Sequence, residues 1–239
     1  SYQDKLRLLR AEHRSEFRKG NSISELLDGF NELIPKYNRE PINKIGKILS
    51  ENVGIIHISD SHVSKTVNLP INTFNLEVAR KRLLKYIDTC IETFHNNKIS
   101  NCVIVFSGDL TNLSTHGMDM TNEFKRSESI LKSFDLFSEI FEIILKENIS
   151  IKTCSILGNE SRLIADQYMS NVDSEAKENL DYVIFQMLKR KFKGCVDVEF
   201  LNEGDSLEYL LNVLGHDIIV FHGHNLKHNN LNQEIDKIK

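Results

Sequence analysis

Three times between residues 55 and 161 the chain repeats one unit, a short apolar run that stops at a cluster of small, acidic or amide residues. The first run, Ile55-Ile56-His57-Ile58, stops at Ser59-Asp60-Ser61-His62. The second, Cys102 to Phe106, stops at Ser107-Gly108-Asp109, and the third, Ile151 to Leu157, stops at Gly158-Asn159-Glu160-Ser161. Between the runs, Leu76, Ala79, Leu83, Leu84, Ile87, Ile91 and Phe94, and then Ile130, Leu131, Phe134, Phe137, Phe141, Ile144 and Leu145, recur at the spacing of one helical face. Parallel strands are covered on both faces and need helical crossovers, so uninterrupted apolar runs alternating with helices read as a parallel α/β sheet. Right-handed crossovers make all three strands point the same way. Their polar ends, Asp60, His62, Asp109 and Asn159, therefore converge at one edge of the sheet, where ligands bind in open α/β folds.

The residue types at that edge suit a cation. Asp60 and His62 bring a hard oxygen and a borderline nitrogen to one strand tip, which is half of a metal site. Gly108 and Gly158 stand where the backbone must leave the sheet sharply beside a crowded site, and a residue without Cβ allows it.

On the N-terminal side, residues 2–19 and 22–34 show two helical patterns, with Arg7, Arg10, Arg14, Arg18 and Lys19 forming a basic stripe on the first. Pro35 and Pro41 end this section, so residues 1–50 read as an N-terminal helical extension and 51–239 as the main domain. After His62 comes a polar loop containing Pro70. Beyond the third tip a helix is expected from about Asp173 to Lys193, followed by antiparallel strands at Val196–Leu201, Leu207–Leu214 and Ile218–Phe221. The last two are joined by a tight turn at Gly215-His216. They carry His222-Gly223-His224 to a fourth tip, and the polar stretch from Asn225 to Lys239 begins as a loop and finishes as a helix.

Composition narrows the partners. The formal charge is −4, from 30 basic against 34 acidic residues, so any polyanion must meet a local patch or a metal rather than a basic surface. Cys90, Cys102, Cys154 and Cys195 contain no C-x-x-C pair and read as buried small hydrophobes of a reducing compartment. No apolar run approaches the ~18 residues of a membrane span, and no signal peptide is visible, so a cytoplasmic protein without membrane partners is expected. A first residue other than Met and a last one, Lys239, inside a helical pattern suggest a piece of a longer polypeptide.

Taken together, D-x-H at Asp60, G-D at Asp109, G-N at Asn159 and H-G-H at His222 resemble the calcineurin-like metallophosphoesterases, whose blocks are D-x-H, G-D-x-x, G-N-H-[DE], a lone His at a strand end, and G-H-x-H. The G-N-E-S-R variant is most similar to phage and prophage phosphoesterases related to SbcD-type DNA repair nucleases. The resemblance implies the calcineurin-like fold, mixed sheets forming a β-sandwich flanked by helices. It implies that Asp60 and His62 bind a first divalent ion, that Asp109 bridges two, and that Asn159 and His222 bind the second. Mixed nitrogen and oxygen donors favour manganese, with iron, zinc or magnesium as alternatives.

Two positions depart from the family pattern. Glu160 stands where a catalytic His is usual, so Glu160 acts as a general acid, or Arg162 grips a phosphate, or Glu160 is only a carboxylate at a helix start. No G-H-x-H follows His222. Either the fifth block lies beyond Lys239, leaving the domain C-terminally incomplete, or His224 or His228 substitutes. The expected activity is hydrolysis of a phosphodiester, with DNA as a candidate substrate and the N-terminal basic stripe as its phosphate grip. The alternatives are a truncated or non-catalytic phosphoesterase-fold binding module, and a phosphatase or cyclic nucleotide phosphodiesterase.

Overall fold

A computed structural model describes residues 27, 29, 33–42, 51–112, 122–162 and 179–224. The three apolar runs form β1 (Gly54–Ile58), β4 (Asn101–Phe106) and β5 (Ser150–Ser155), and the two amphipathic patterns form α1 (Leu76–Asn96) and α2 (Arg126–Lys146). The remaining elements are β2 (Val67–Leu69), β3 (Asn72–Phe74), α3 (Leu180–Lys191), β6 (Val198–Phe200), β7 (Glu208–Val213) and β8 (His216–Phe221). The central sheet has the order β1-β4-β5-β6, and every pairing in it is parallel.

Side-chain alternation divides the core in two. Ile56, Ile58, Cys102, Ile104, Phe106 and Ile151 face a cluster filled by the apolar faces of α1, α2 and α3. Val103, Val105, Cys154 and Ile156 face the other way, against Leu211 and Val220 of the β7–β8 hairpin. The chain thus stacks helices, a parallel sheet and a two-stranded hairpin. Phe106, the last residue of β4, is fully buried with ring centroids 5.3 Å from Phe137 and 6.4 Å from Phe185. That aromatic contact anchors the strand end from which Asp109 projects.

Several expectations need correction. Val196–Leu201 does not join an antiparallel set; its centre, β6, is the fourth parallel strand, so the central sheet is not mixed. A three-residue strand carries too little alternation to report its direction. The polar loop around Pro70 contains the β2–β3 hairpin. The β7–β8 turn is Leu214-Gly215, both at positive φ (52° and 83°), and His216 already belongs to β8. The third helix begins at Leu180, capped by the Asn179 side chain, which accepts from the Asp181 N–H.

All four cysteines are free, with Cys102 and Cys154 buried. The basic stripe on residues 2–19, the ends of the expected 173–193 helix before Asn179, His228 and the C-terminal segment lie outside the described residues. Of the expected 22–34 helix, Leu27, Gly29 and Leu33 are helical, and Leu27 joins the main core. Tyr37 N–H donates to the Lys191 carbonyl at 2.8 Å and Ile42 N–H to Asp197 at 2.9 Å, so residues 37–42 lie against the domain.

Candidate metal centre

The β1 and β4 ladder continues beyond both strand ends. Asp60 N–H donates to the Gly108 carbonyl at 3.1 Å, and His62 N–H to the Asp109 carbonyl at 3.0 Å. These bonds bring the D-x-H and G-D segments side by side, in a backbone conformation that costs energy. Asp60, His62 and Asp109 have φ of 52°, 43° and 54°, the left-handed region that residues with a Cβ usually avoid. The other non-glycine residues described with positive φ, Lys98, Asn148 and Leu214, lie just past helix ends or in the hairpin turn, where that conformation is ordinary. Three ligand-type residues in the left-handed region thus cluster at one edge, the kind of placement that strained functional sites show.

Two glycines bring the loops together. A Cβ on Gly108 would stand 2.7 Å from the Gly158 backbone, and one on Gly158 only 2.1 Å from Asp109 Oδ1. Gly108, with φ of 90°, does turn the chain as expected. Gly158 serves through close approach instead, since its φ lies outside the left-handed region.

At the centre, His222 Nε2 lies 3.0 Å from Asp109 Oδ2 and 3.0 Å from Asn159 Oδ1. Its Nδ1 donates to the Ser107 carbonyl at 2.8 Å, which fixes the ring and aims Nε2 at the carboxylate. Asp60, Asp109 and His222 each offer a ligand atom, and these lie within 4.8 Å of one another. His62 Nε2 is 3.8 Å from Asp60 Oδ1. That is too long for a hydrogen bond but suits two ligands of one ion, since bonds of ~2.0–2.2 Å allow ligand atoms up to about 4.4 Å apart. The donor set fits divalent cations, and His62 Nδ1 is buried without a hydrogen-bond partner among the described residues.

The charges respond to this crowding. Burial would raise the Asp109 carboxyl, but the hydrogen bond and charge of His222, with the Glu160 N–H and His62, hold it below the usual carboxylate range. Burial disfavours the charged form of His222, yet Asp109, the Ser107 carbonyl and Asp60 raise it to about 9. A proton on Nε2 and a cation would occupy the same place between Asp109 and Asn159, so the two compete.

Glu160 does two things here. Its N–H donates to Asp109 Oδ1 at 2.8 Å, and its Oε1 accepts from Asn159 Nδ2 at 3.2 Å, turning the amide oxygen toward His222. Arg162 is buried and pairs with the His224 ring rather than standing apart from it. The β7–β8 hairpin carries both His222 and His224 to the edge, their ring centroids 5.4 Å apart.

Sequence reasoning missed Asp181. This fully buried carboxylate accepts from the N–H groups of Asp109 (2.9 Å), Leu110 (3.0 Å) and Gly158 (3.0 Å), and from the Ser161 hydroxyl (2.7 Å). Asn179 donates to the Gly158 carbonyl at 2.9 Å, so the Gly158 residue is held through both its N–H and its C=O. Burial pushes the Asp181 carboxyl up to about 6, helped by the Asp109 charge and opposed by the Ser161, Gly158 and Leu110 donors. In the sequence, an Asp in the first turn of a helix reads as a partner for the helix dipole. Nothing local announces its contact with Asp109, 72 residues away.

No protein-family model and no curated protein matches this chain.

Proposed function

We propose that the chain is a metal-dependent phosphoesterase acting on phosphodiester bonds, with nucleic acid as its substrate class. The observation that carries the reading is the convergence of Asp60, Asp109 and His222 ligand atoms within 4.8 Å at the carboxyl edge of a parallel sheet. Asn159 and His62 complete the set. Asp60, His62, Asp109, Asn159 and His222 would hold two divalent ions, manganese by preference, which would supply an activated nucleophile near neutral pH and charge stabilisation at the phosphate.

The chain's own residues hold and orient. Asp109, with one oxygen held by the Glu160 N–H and the other directed at His222, is the carboxylate placed to be shared. Glu160 orients the Asn159 amide, which suits it better for positioning than for the role of the usual catalytic His. Arg162, buried beside His224, is the cation we assign to a phosphate oxygen. The basic stripe Arg7, Arg10, Arg14 and Arg18 supports a nucleic-acid substrate, because the acidic overall balance supplies no general attraction.

Manganese titration followed by electron paramagnetic resonance, together with hydrolysis of bis(4-nitrophenyl) phosphate, tests the reading. Stoichiometric binding with turnover is expected, and both should be lost in Asp109→Asn. Binding without turnover of any phosphodiester would leave only a phosphoesterase-fold binding module, and the absence of stoichiometric binding would remove the metal centre.

A further inference from the structure

The central sheet ends at β1, whose outer edge pairs with no described strand. Beside that edge runs a groove of about 340 Å³, bounded by the β1 tip at Ser59 and Asp60, by Phe74 at the end of β3, and by Arg82, Leu83 and Tyr86 of α1. The groove therefore opens directly onto a residue of the candidate metal centre. Ile58, Phe74, Ala79, Leu83 and Tyr86 give its lining apolar surface beside the polar Ser59, Asp60 and Arg82.

Arg82 distinguishes this groove from an ordinary surface crease. Two residues earlier on the same helix, Arg80 is bound by Glu139. Arg82 has no carboxylate partner among the described residues; its guanidinium instead lies over the Phe74 ring, 5.6 Å from the centroid. A guanidinium beside an aromatic ring offers a base an aromatic face to stack on and a neighbouring phosphate a charge to meet.

We propose that this groove is the subsite for the nucleoside next to the scissile phosphate of a single-stranded nucleic acid, with the Arg82–Phe74 pair as its stacking and charge contact. The proposal rests on the phosphoesterase reading for the scissile phosphate at the metal centre, and it adds where the chain beyond that phosphate goes. The volume, at the lower end of the ~300–1,000 Å³ of small-molecule sites, accommodates one extruded nucleoside and not a duplex. Arg82 supplies a charge opposite to phosphate, and the apolar lining residues Phe74 and Leu83 suit a base face better than a sugar-phosphate backbone.

The test is equilibrium binding of a fluorescein-labelled thymidine hexanucleotide in EDTA, where no cleavage interferes, to the full chain and three variants. Arg82→Ala and Phe74→Ala should each weaken binding about tenfold, the scale of one lost stacking or phosphate contact. Lys85→Ala, which removes the same charge from α1 outside the groove, should change it less than about twofold, as expected for a screened surface charge. With manganese present, Arg82→Ala should raise KM for thymidine 5′-(4-nitrophenyl) phosphate while leaving kcat and manganese affinity within about twofold, the signature of lost ground-state binding. Wild-type affinity in either groove variant, or an equal loss in Lys85→Ala, would overturn the subsite. Failure of the wild type to hydrolyse any phosphodiester would instead remove the phosphoesterase reading, with the EDTA binding series still deciding the groove.

Discussion

At Asp181 three backbone N–H groups and a hydroxyl converge on one carboxylate, with no cation beside it among the described residues, and its two oxygens supply the acceptors those N–H groups need. Asp181→Ala leaves those donors without an acceptor and should cost about 3–5 kcal/mol, the scale for breaking a buried charged network. Asp181→Asn keeps the shape but turns an NH2 group toward N–H donors, so it should recover only part of the loss. Both variants should also weaken manganese binding by about 10–100-fold, as outer-sphere substitutions do. Thermal unfolding and a manganese titration on the same preparations check this; a destabilised Asp181→Asn with native metal affinity would show that the clamp serves the fold alone. If the site holds two ions as proposed, Asp109→Asn should lower occupancy at both and His62→Ala mainly at one, which titration of bound manganese per chain resolves.

Two glycines separate the seams that hold elements together from the seam that forms the site. A Cβ on Gly54 of β1 would stand 2.3 Å from the Phe94 ring of α1, on the helix side and away from the ligands. A Cβ on Gly158 would meet Asp109 itself. Gly54→Ala and Gly158→Ala should each cost at least the ~1–3 kcal/mol of overpacking. Only Gly158→Ala should also abolish metal binding, because relief of its clash must move the Asp109 carboxylate. Denaturant unfolding paired with a metal titration distinguishes the two, and intact manganese binding in Gly158→Ala would contradict the close-approach role. The β7–β8 hairpin has a comparable part: Leu211 and Val220 seat it on Val103 and Val105, and that seat determines where His222 arrives.

Among the described residues, three groups at the candidate site couple folding to pH with different signs. His222, raised from 6.5 to about 9, contributes stability that is full below about pH 6.5 and is lost as pH rises through 9. Asp109, held below its ordinary value of 3.8, contributes stability above that value and loses it as pH falls. Asp181, raised from 3.8 to about 6, has the opposite sign for a carboxylate, and the stability tied to its proton is lost between those values. In EDTA the melting temperature should therefore be highest in mildly acidic solution and decline toward pH 9, with His222→Ala removing the alkaline part of the decline. Manganese should stabilise more as pH rises, because it replaces the proton on Nε2. Melting curves at intervals from pH 5 to 9, with and without manganese, would expose a flat or inverted profile. Among the described residues no helix is long and apolar enough to cross a membrane.

The sequence by itself determined the parallel α/β plan and the ligand-bearing tips, because period, run length and the abrupt polar stops after Ile58, Phe106 and Leu157 are local properties. It also determined that Asp60, Asp109 and Asn159 belong to one edge, since right-handed crossovers leave parallel strands no other arrangement. Only the tertiary structure decided the direction of β6, the short β2–β3 hairpin, the pairing of Arg162 with His224 and the burial of Asp181 beneath two loops. Each of these depends on partners that are distant in the chain or on strands too short to show a period. A carboxylate in the first turn of a helix looks the same in sequence whether it faces water or three buried N–H groups, and folding alone brings those donors to it.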